Sequence, residues 1–477
     1  MRQLTLFPDQ AAVIQPLLEH FGINKDNLGF FVLDNAPNND TTLVELGKTM
    51  GFEPIQKRLR CMGHIINLIA ESYIFGQDMS TFEENHMKAS PGERRKLWRQ
   101  RGELGKLHNL VAHVIASGKR TDLFLALQVN ANVGRAEGKR WKLLLDGGVR
   151  WNATYLMITR ALHLREALDL YANKLRGSTE ELDQETFEYD YLTPQEWKAL
   201  ELIKDQLEPL FRLTKDLEGN HDLKDGARKA SHGALWEVLP VFEFILSHFE
   251  KLEREAKGGA FDRHLGIQSS ITLAWNTTQK WYKKTDQSIA WAAAMVLHPG
   301  YKFIWFEEKW TSTGESRALA SMKTKLRRLW EGIYKKDNVL ESIENPCSPE
   351  KQRSYLESVL DEMAPSNRSR VARPTRGKDE LFLYLAEPAT DRMGLMEYWK
   401  SREAQWPCLA QMAYDFLSIP AMSSECERVF SSCAKQTTPE SSRLSGRMLW
   451  HQECVKNWQR RGAIRMETFK HAAILDL

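Results

Sequence analysis

The sequence has 477 residues, of which 42% are hydrophobic and 10% are aromatic. This composition is sufficient for two or three domains with buried cores and excludes a disordered chain. The 66 Lys and Arg residues almost balance the 63 Asp and Glu residues, so nucleic-acid binding would depend on local clusters of charge. The longest uninterrupted apolar run, at 289–297, is far shorter than the ~20 residues that cross a bilayer. We therefore expect a globular protein without a membrane partner.

The six cysteines are widely spread along the chain and include no Cys-x-x-Cys pair. They also complete no set of cysteines and histidines with zinc-finger spacing. Residues 1–8 contain no apolar run long enough for a signal peptide. We therefore expect reduced, intracellular thiols and no structural zinc.

A helix and then a buried strand are predicted at the start of the chain. Apolar residues recur at helical spacing over 11–21, and Gly22 provides a stop. The apolar run at 28–33 then predicts a strand that ends in a polar turn beginning with Asp34. In an open α/β sheet this edge is where ligands bind, so Asp34 could face a metal or a substrate. The alternative is a turn aspartate that caps its own backbone.

A short strand that turns into a helix is predicted over 58–69. Cys61 and His64 lie at the turn in a Cys-x-x-His pattern. Two ligands do not close a tetrahedral zinc site, and no second pair lies nearby. The residues therefore favour a role in packing and positioning.

The segment 88–142 is basic, with 13 Lys and Arg residues against four Asp and Glu residues. Such a cluster attracts the phosphates of a nucleic-acid backbone, because binding releases counterions. A solvated helix surface produces the same pattern. Both interpretations remain open.

A long amphipathic helix is predicted to begin near Trp151, directly after Arg150. A tryptophan at a helix start is commonly a packing anchor in the core. An exposed Arg-Trp pair can instead bind a phosphate and stack on an unstacked base, which suits an enzyme that distorts DNA ends.

The middle of the chain is predicted to be mostly helical, with helices over 197–217, 234–252, 271–282 and 289–297. Two linkers interrupt this pattern. Residues 177–190 hold six acidic residues and few apolar ones, which indicates an exposed connection. Residues 366–378 are basic and poor in large apolar groups, which indicates a mobile linker that could bind DNA or act as a nuclear import signal.

Ser424 and Glu427 form a capping-box pattern near the end of the chain, which predicts a helix that begins near Glu425. Val429, Phe430 and Cys433 would bury one face of this helix. The simplest role of Glu427 is that of a capping carboxylate. In the last predicted helix an aromatic stripe recurs every fourth residue, and it would lie either in the core or across a dimer interface. This stripe consists of Trp450, Cys454 and Trp458.

Taken together, these segments resemble the hAT family of DNA transposases over residues 10–462. The C-terminal motif Ser-x-x-Glu-Arg-x-Phe-Ser at 424–431 carries the resemblance most strongly. The other matching patterns, in chain order, are Asp-Asn-Ala-x-Asn-Asn at 34–39, Cys-x-x-His at 61–64, Arg-Trp at 150–151 and Leu-His-Pro-x-Tyr-Lys at 297–302.

The resemblance implies an RNase H-like α/β domain that is interrupted by a large, mainly helical insertion and followed by a helical dimerisation region. The implied bounds are 1–75 for the first part of the RNase H-like domain, 76–390 for the insertion and 391–477 for the dimerisation region, which completes the fold. In the family, aspartates and a glutamate bind Mg²⁺ and catalyse DNA cleavage and strand transfer. Asp34 and Glu427 match the second and the last of these acids.

The resemblance also assigns roles to other side chains. Cys61 and His64 would lie beside the active site, and Arg150, Trp151 and Arg428 would contact DNA. Self-association would use Phe430, Trp450, Cys454 and Trp458. The implied partners are a second copy of the chain and DNA, in the nucleus, with no small-molecule substrate.

The family's first acid is not found in this sequence. Only Asp9 and Asp26 are aspartates that precede Asp34, and neither closes an apolar run of strand character. No paired cysteines of a BED-type zinc finger precede residue 60. We therefore expect a transposase-like protein that dimerises and contacts DNA but is catalytically incomplete. The alternatives are an active transposase whose start is wrongly placed, and a helical interaction protein with no role on nucleic acid.

Overall fold

The computed structural model describes residues 9–76, 79–130, 140–146, 151–218, 233–261, 265–312, 316–335, 379–390, 393–437 and 444–460. The chain divides into two compact units. The first consists of Met1–Ser288 and Pro420–Leu477, and the second is Ile289–Ile419. The boundaries between these units, after Ser288 and after Ile419, differ from the predicted domain boundaries at 76 and 391. The predicted linker at 366–378 lies outside the described residues.

The first unit opens with a small α/β arrangement. Its elements are α1 (Asp9–His20), β1 (Phe31–Leu33), α2 (Pro37–Met50), α3 (Pro54–Lys57), β2 (Arg58–Arg60) and α4 (Met62–Phe75). Strands β1 and β2 are parallel, and Phe31, Val32 and Leu33 pair with Arg58, Leu59 and Arg60. The predicted strands and the first helix are therefore confirmed, although only two described strands form the sheet.

The first unit continues as helices. These are α5 (Met79–Lys88), α6 (Pro91–Arg99), α7 (Gly102–Ile115), α8 (Gly118–Asn130), α9 (Trp151–His163), α10 (Arg165–Leu175), α11 (Glu181–Tyr189), α12 (Pro194–Glu218), α13 (Val238–Lys257) and α14 (Leu265–Tyr282). A 3₁₀ turn at Lys283–Gln287 follows α14. One hydrophobic core joins α6, α7, α9 and α10, with Trp98 and Trp197 among its buried side chains. The predicted helical middle is confirmed.

The acidic segment 177–190 is not the exposed connection that we predicted. It forms α11, whose carboxylates face the basic helices α6 to α8. Arg99 donates to Asp190 Oδ1 and Oδ2 at 2.8 and 2.7 Å and to Glu185 at 2.8 Å. Arg120 likewise lies 2.8 Å from both Glu180 and Asp183. The acids of one segment therefore neutralise much of the positive charge of the other.

The second unit contains six helices in its described part. They are α15 (Ala290–Val296), α16 (Ile304–Ser312), α17 (Ser316–Leu329), α18 (Glu380–Ala386), α19 (Leu395–Arg402) and α20 (Pro407–Leu417). A π-helical turn at Trp330–Tyr334 follows α17. Residues 403–406 separate α19 from α20, which begins at Pro407.

The motif at 297–302 builds a buried junction within the second unit. Lys302 is buried, and its ammonium donates to the carbonyls of Tyr384 and Glu387 at 2.5 and 2.6 Å. These carbonyls belong to the last turn of α18, where cations complement the helix dipole. Lys302 also has a positive φ of 49°. The motif thus joins the end of α15 to the end of α18.

The first unit ends in a helical hairpin formed by α21 (Ser424–Gln436) and α22 (Gly446–Arg460). The carboxylate of Glu453 holds the two helices together, because it accepts hydrogen bonds from Ser432 at 2.7 Å and from Gln436 at 2.5 Å. Lys456 adds an ion pair with Glu453 at 2.8 Å. The inner side of this hairpin is therefore polar. Within the described residues, none of the helices combines the length and the apolar character needed to cross a lipid bilayer.

Replacement of Arg99 by Met should destabilise the first unit strongly. The variant leaves the fully buried carboxylate of Asp190 without its ion pair, and such a loss costs about 3–5 kcal/mol. Urea denaturation followed by circular dichroism measures the effect. The matched control is Lys88→Met, because Lys88 and Glu84 are both exposed and such pairs contribute at most about 1 kcal/mol. Equal shifts in the two variants would contradict the role assigned to α11.

The stability of the second unit should fall as the pH falls below 6.5. Burial lowers the pKa of His298 to about 4, and its Nδ1 accepts a hydrogen bond from Gly300 N at 3.2 Å, so the neutral form is stabilised. Between pH 6.5 and 4 the unfolded chain binds this proton and the folded chain does not, so stability is lost as the pH decreases. At pH 5 the loss is about 2 kcal/mol relative to pH 7. Urea denaturation at both pH values should show a smaller loss for His298→Gln than for the wild type, with exposed His20→Gln as the control.

Candidate functional site

Cys61 is the residue at which the two distant parts of the predicted site meet. Its backbone N–H donates to the carbonyl of Leu33 at 2.8 Å, and its Sγ accepts a hydrogen bond from the N–H of Ser423 at 3.3 Å. The next residue, Met62, donates its N–H to the carbonyl of Ala421 at 3.0 Å. The end of β1, the start of α4 and the segment that leads into α21 therefore contact one another.

A glycine in α4 leaves room for a side chain of the C-terminal segment. A Cβ atom added at Gly63 would lie 1.9 Å from Cε of Met422. Because real Cβ atoms do not approach a carbon so closely, any other residue at 63 would displace the Met422 side chain. Gly63, which lies within the Cys-x-x-His pattern, therefore packs against the segment that precedes Glu427.

Asp34 lies at the carboxyl end of β1, as predicted, and is half-buried. Its Oδ1 accepts hydrogen bonds from Ala36 N at 2.9 Å and from Asn39 Nδ2 at 2.6 Å. This is the geometry of a turn aspartate that caps its own backbone. The contacts of Asp34 are therefore those of a turn aspartate, the alternative that we gave for this residue. No hydrogen bond to its Oδ2 is found among the described residues.

Glu427 lies in the first turn of α21 and is exposed. The predicted capping box is wrong: the cap is Ser423 rather than Ser424, and it makes no side-chain capping bond. The N–H of Glu427 donates to the carbonyl of Ser423 at 3.3 Å. Among the described residues, the carboxylate of Glu427 has no hydrogen bond or ion pair. It is therefore available to an external partner.

The residues present do not fit the Mg²⁺ site that the resemblance implies. The described part of the chain contains no group of three or more His, Cys, Asp or Glu side chains that could hold a metal ion. Arg58, whose side chain pairs with Asp40 at 2.9 Å, also donates to the backbone carbonyl of Asp34. A cation beside this turn opposes the binding of a second cation. We therefore derive no catalytic step through a metal.

Cys61 and His64 occupy different environments. Cys61 is buried, whereas His64 is half-buried in the first turn of α4. The contacts of Cys61 described above are structural, which agrees with the predicted positioning role. The five described cysteines are all free thiols, and Cys347 lies outside the described residues.

Trp151 has the contacts of a packing anchor, which is the first of its two predicted interpretations, and Arg150 lies outside the described residues. Trp151 is 1% exposed. Its ring centroid lies 6.4 Å from that of Phe211 in α12 and 6.5 Å from that of Tyr155. The ring is therefore a packing anchor between α9 and α12, and it presents no exposed face to a base.

Arg428 is half-buried, and its guanidinium forms hydrogen bonds with two other residues of the chain. Its guanidinium donates to Ser424 Oγ at 3.0 Å and to the carbonyl of Glu218 at 3.4 Å. These bonds connect the start of α21 to the end of α12. The predicted DNA contact of Arg428 stays a prediction.

The side chains predicted for self-association are largely exposed in the single chain. Phe430 is 71% exposed, Trp450 is 55% exposed and Trp458 is 50% exposed. Cys454 is half-buried. The prediction that α21 buries one face is wrong, because none of its residues is buried. The hairpin thus carries its polar contacts between the helices and its large aromatic side chains on the outside.

Two groups of charged residues make contacts that were not predicted from the sequence. Lys302 lies in a motif without an assigned role, and no role was predicted for Arg58 or Arg60. The signal for the arginines was their alternation along a strand, since residues two apart point to the same face. Both of them reach Asp40, at 2.9 and 3.5 Å.

Comparison with known proteins identifies two family regions in the chain. The hAT family C-terminal dimerisation region matches residues 380–459. The ZBED1 RNase-like helical domain matches residues 59–206. The second region begins at β2 and ends within α12, so it covers helices α4 to α11 of the first unit.

Curated relatives match most of the chain. The Putative AC transposase of Zea mays is 22% identical over 455 residues, which are 91% of this chain and 49% of that protein. The Putative transcriptional regulator tpeD of Talaromyces stipitatus is 22% identical over 438 residues, which are 88% of this chain and 44% of that protein. The Zinc finger BED domain-containing protein DAYSLEEPER of Arabidopsis thaliana is 22% identical over 325 residues, 66% of this chain and 41% of that protein.

The chain spans about half the length of the curated relatives that it matches. The relatives comprise transposases and proteins named for a BED zinc finger or for transcriptional regulation. The described fold is mostly helical, in agreement with both family regions. The chain carries the C-terminal dimerisation region of the hAT family and is similar over most of its length to transposases and BED-type proteins.

Proposed function

We propose that this chain is a self-associating, DNA-binding protein of the nucleus that does not cleave DNA by itself. The observation that carries self-association is the outer surface of the C-terminal hairpin. The large aromatic side chains of the hairpin are exposed on its outside, whereas the contacts between its two helices are polar. Exposed aromatic clusters of this kind mark protein interfaces. A second copy of the hairpin is the partner that the family's dimerisation region suggests.

We also propose that the α/β part of the first unit belongs to an RNase H-like domain. The parallel pair of β1 and β2, with α2 and α3 as its crossover, supports this assignment. So does the return of the C-terminal segment to Cys61, because it joins a late helix to an early strand within one unit. The names of the relatives support DNA as the partner.

The surroundings of Asp34 and Glu427 support the proposal that the chain does not cleave DNA by itself. A two-metal site requires several carboxylates around a shared pair of ions. Within the described residues only these two acids match the family motif, and Asp34 already binds its own turn through Oδ1. DNA binding without cleavage suits a regulator better than a mobile element.

Removal of the exposed aromatic side chains should weaken self-association. The double variant Phe430→Ser, Trp450→Ser deletes two rings of the hairpin surface, and interface aromatics contribute about 2 kcal/mol or more each. We expect the dimer dissociation constant to rise at least about 30-fold, measured by analytical ultracentrifugation of the full chain. The control is Phe244→Ser, Phe21→Ser, which removes two exposed rings elsewhere. A wild type that is monomeric at tens of micromolar, or a variant as dimeric as the wild type, would contradict the proposal.

The purified chain should not nick supercoiled plasmid DNA in the presence of Mg²⁺ or Mn²⁺, because its described carboxylates do not complete a metal site. Gel electrophoresis of the plasmid measures the outcome. Glu427→Gln and Glu425→Gln serve as matched variants that distinguish the protein's own activity from a contaminating nuclease. Robust cleavage that is lost in Glu427→Gln and retained in Glu425→Gln would show that the chain is an active enzyme.

A further inference from the structure

Three cations of the first unit gather around the indole ring of Trp281. Lys284 Nζ lies 4.5 Å from the ring centroid, and Lys280 Nζ and Arg60 Cζ both lie 5.5 Å from it. Trp281 is 7% exposed and stands at the end of α14, where the 3₁₀ turn begins. Arg60 comes from the end of β2. Two segments more than 200 residues apart thus place their positive charges at one point.

The attraction of the ring for cations explains only part of this arrangement. A cation over an indole gains about 0.5–2 kcal/mol, but three like charges around one ring repel one another. Burial lowers the pKa of Lys284, and the charges of Arg60 and Lys280 lower it further. A structural role for the cluster would require acids that compensate this repulsion.

The described acids compensate it only in part. Asp40 lies 3.5 Å from Arg60, but its stronger ion pair, at 2.9 Å, is with the buried Arg58. Neither Lys280 nor Lys284 forms an ion pair among the described residues. Positive charge therefore exceeds negative charge here, unlike in α6 to α8, where α11 supplies the acids.

The cluster lies beside the turn that follows β1. The guanidinium of Arg60 donates to Asn35 Oδ1 at 3.1 Å, and Asn35 follows Asp34 directly. Lys280 is exposed and Lys284 is half-buried, so their ammonium groups can be reached from solvent. An arginine fork and two ammonium groups are the side chains that bind phosphate oxygens in proteins.

We propose that Arg60, Lys280 and Lys284, gathered around Trp281, bind backbone phosphates of DNA beside the Asp34 turn. The inference rests on the proposed DNA-binding function and names a surface for it. The contacts involve phosphates alone, so they position the duplex and read no sequence. The ring of Trp281 holds the cations in place and does not itself touch a base.

The test is the salt dependence of DNA binding by the full chain. Fluorescence anisotropy with a labelled 30-base-pair duplex, from 50 to 300 mM KCl, gives the slope of log K against log salt. Each phosphate contact contributes about −0.9 to this slope. For Lys280→Gln, Lys284→Gln we expect a slope that is less negative by roughly 1.8 and an affinity at 100 mM KCl that is at least about tenfold weaker.

Two controls separate local contacts from general charge and from folding. Lys198→Gln, Lys251→Gln removes the same charge from exposed positions on α12 and α13, and its slope should equal that of the wild type. Lys280→Arg, Lys284→Arg retains the charge and should also keep the wild-type slope. Circular dichroism and thermal melting verify that each variant is folded.

The outcomes distinguish this inference from the proposed function. A wild type that binds DNA, with the same slope in the glutamine variant, overturns the phosphate site and leaves DNA binding intact. No binding by the wild type at 50 mM KCl overturns the DNA-binding function itself. If the salt slope of Lys280→Arg, Lys284→Arg also became less negative, the loss of positive charge would not explain the effect of the glutamine variant. Preferential displacement by an unlabelled RNA duplex would assign the surface to RNA.

Discussion

The backbone and thiol of Cys61 hold together the part of the molecule on which any activity at Asp34 or Glu427 depends. Its N–H bonds the end of β1, its Sγ accepts from the N–H of Ser423, and the neighbouring Met62 bonds Ala421. Cys61 and Met62 are buried, and a buried backbone group that loses its hydrogen bond costs about 1–3 kcal/mol. These bonds fix the start of α21 against the sheet and bring acids 393 positions apart in sequence into one compact unit. Gly63 contributes by leaving space for Met422.

The junction does not by itself make an enzyme. It presents an exposed carboxylate, Glu427, and a turn aspartate whose Oδ1 is already bonded, with arginines on the adjacent strand. This arrangement favours the binding of anions over the binding of divalent cations, because Arg58 and Arg60 add positive charge beside the Asp34 turn. The proposed phosphate contacts of Arg60, Lys280 and Lys284 would lie beside this turn, where the described residues contain no group of three metal ligands.

Charge pairing explains why the acidic segment 177–190 is not an exposed linker, and it reduces the positive charge that the basic segment 88–142 offers to DNA. The basic segment 88–142 suggested a DNA surface, and the acidic segment 177–190 suggested an exposed linker. In the folded chain Arg99 and Arg120 pair with Asp190, Glu185, Glu180 and Asp183. Composition counts charges along the chain, whereas a binding surface depends on which charges stay unpaired in space. The cluster around Trp281 is the opposite case. Its cations do not form a basic segment in the sequence, but they lie together in the folded chain.

The sequence by itself determined the first helix and strands, the position of Asp34 at a strand end, the helical middle and the resemblance to hAT proteins. These features depend on local periodicity, on turn residues and on contiguous motifs, which a single chain displays directly. Only the tertiary structure decided that Trp151 is a core residue, that Glu427 is exposed rather than capping, and that Lys280, Lys284 and Arg60 meet. Burial and long-range pairing depend on which faces pack together, and residues hundreds of positions apart carry no local signal of that contact.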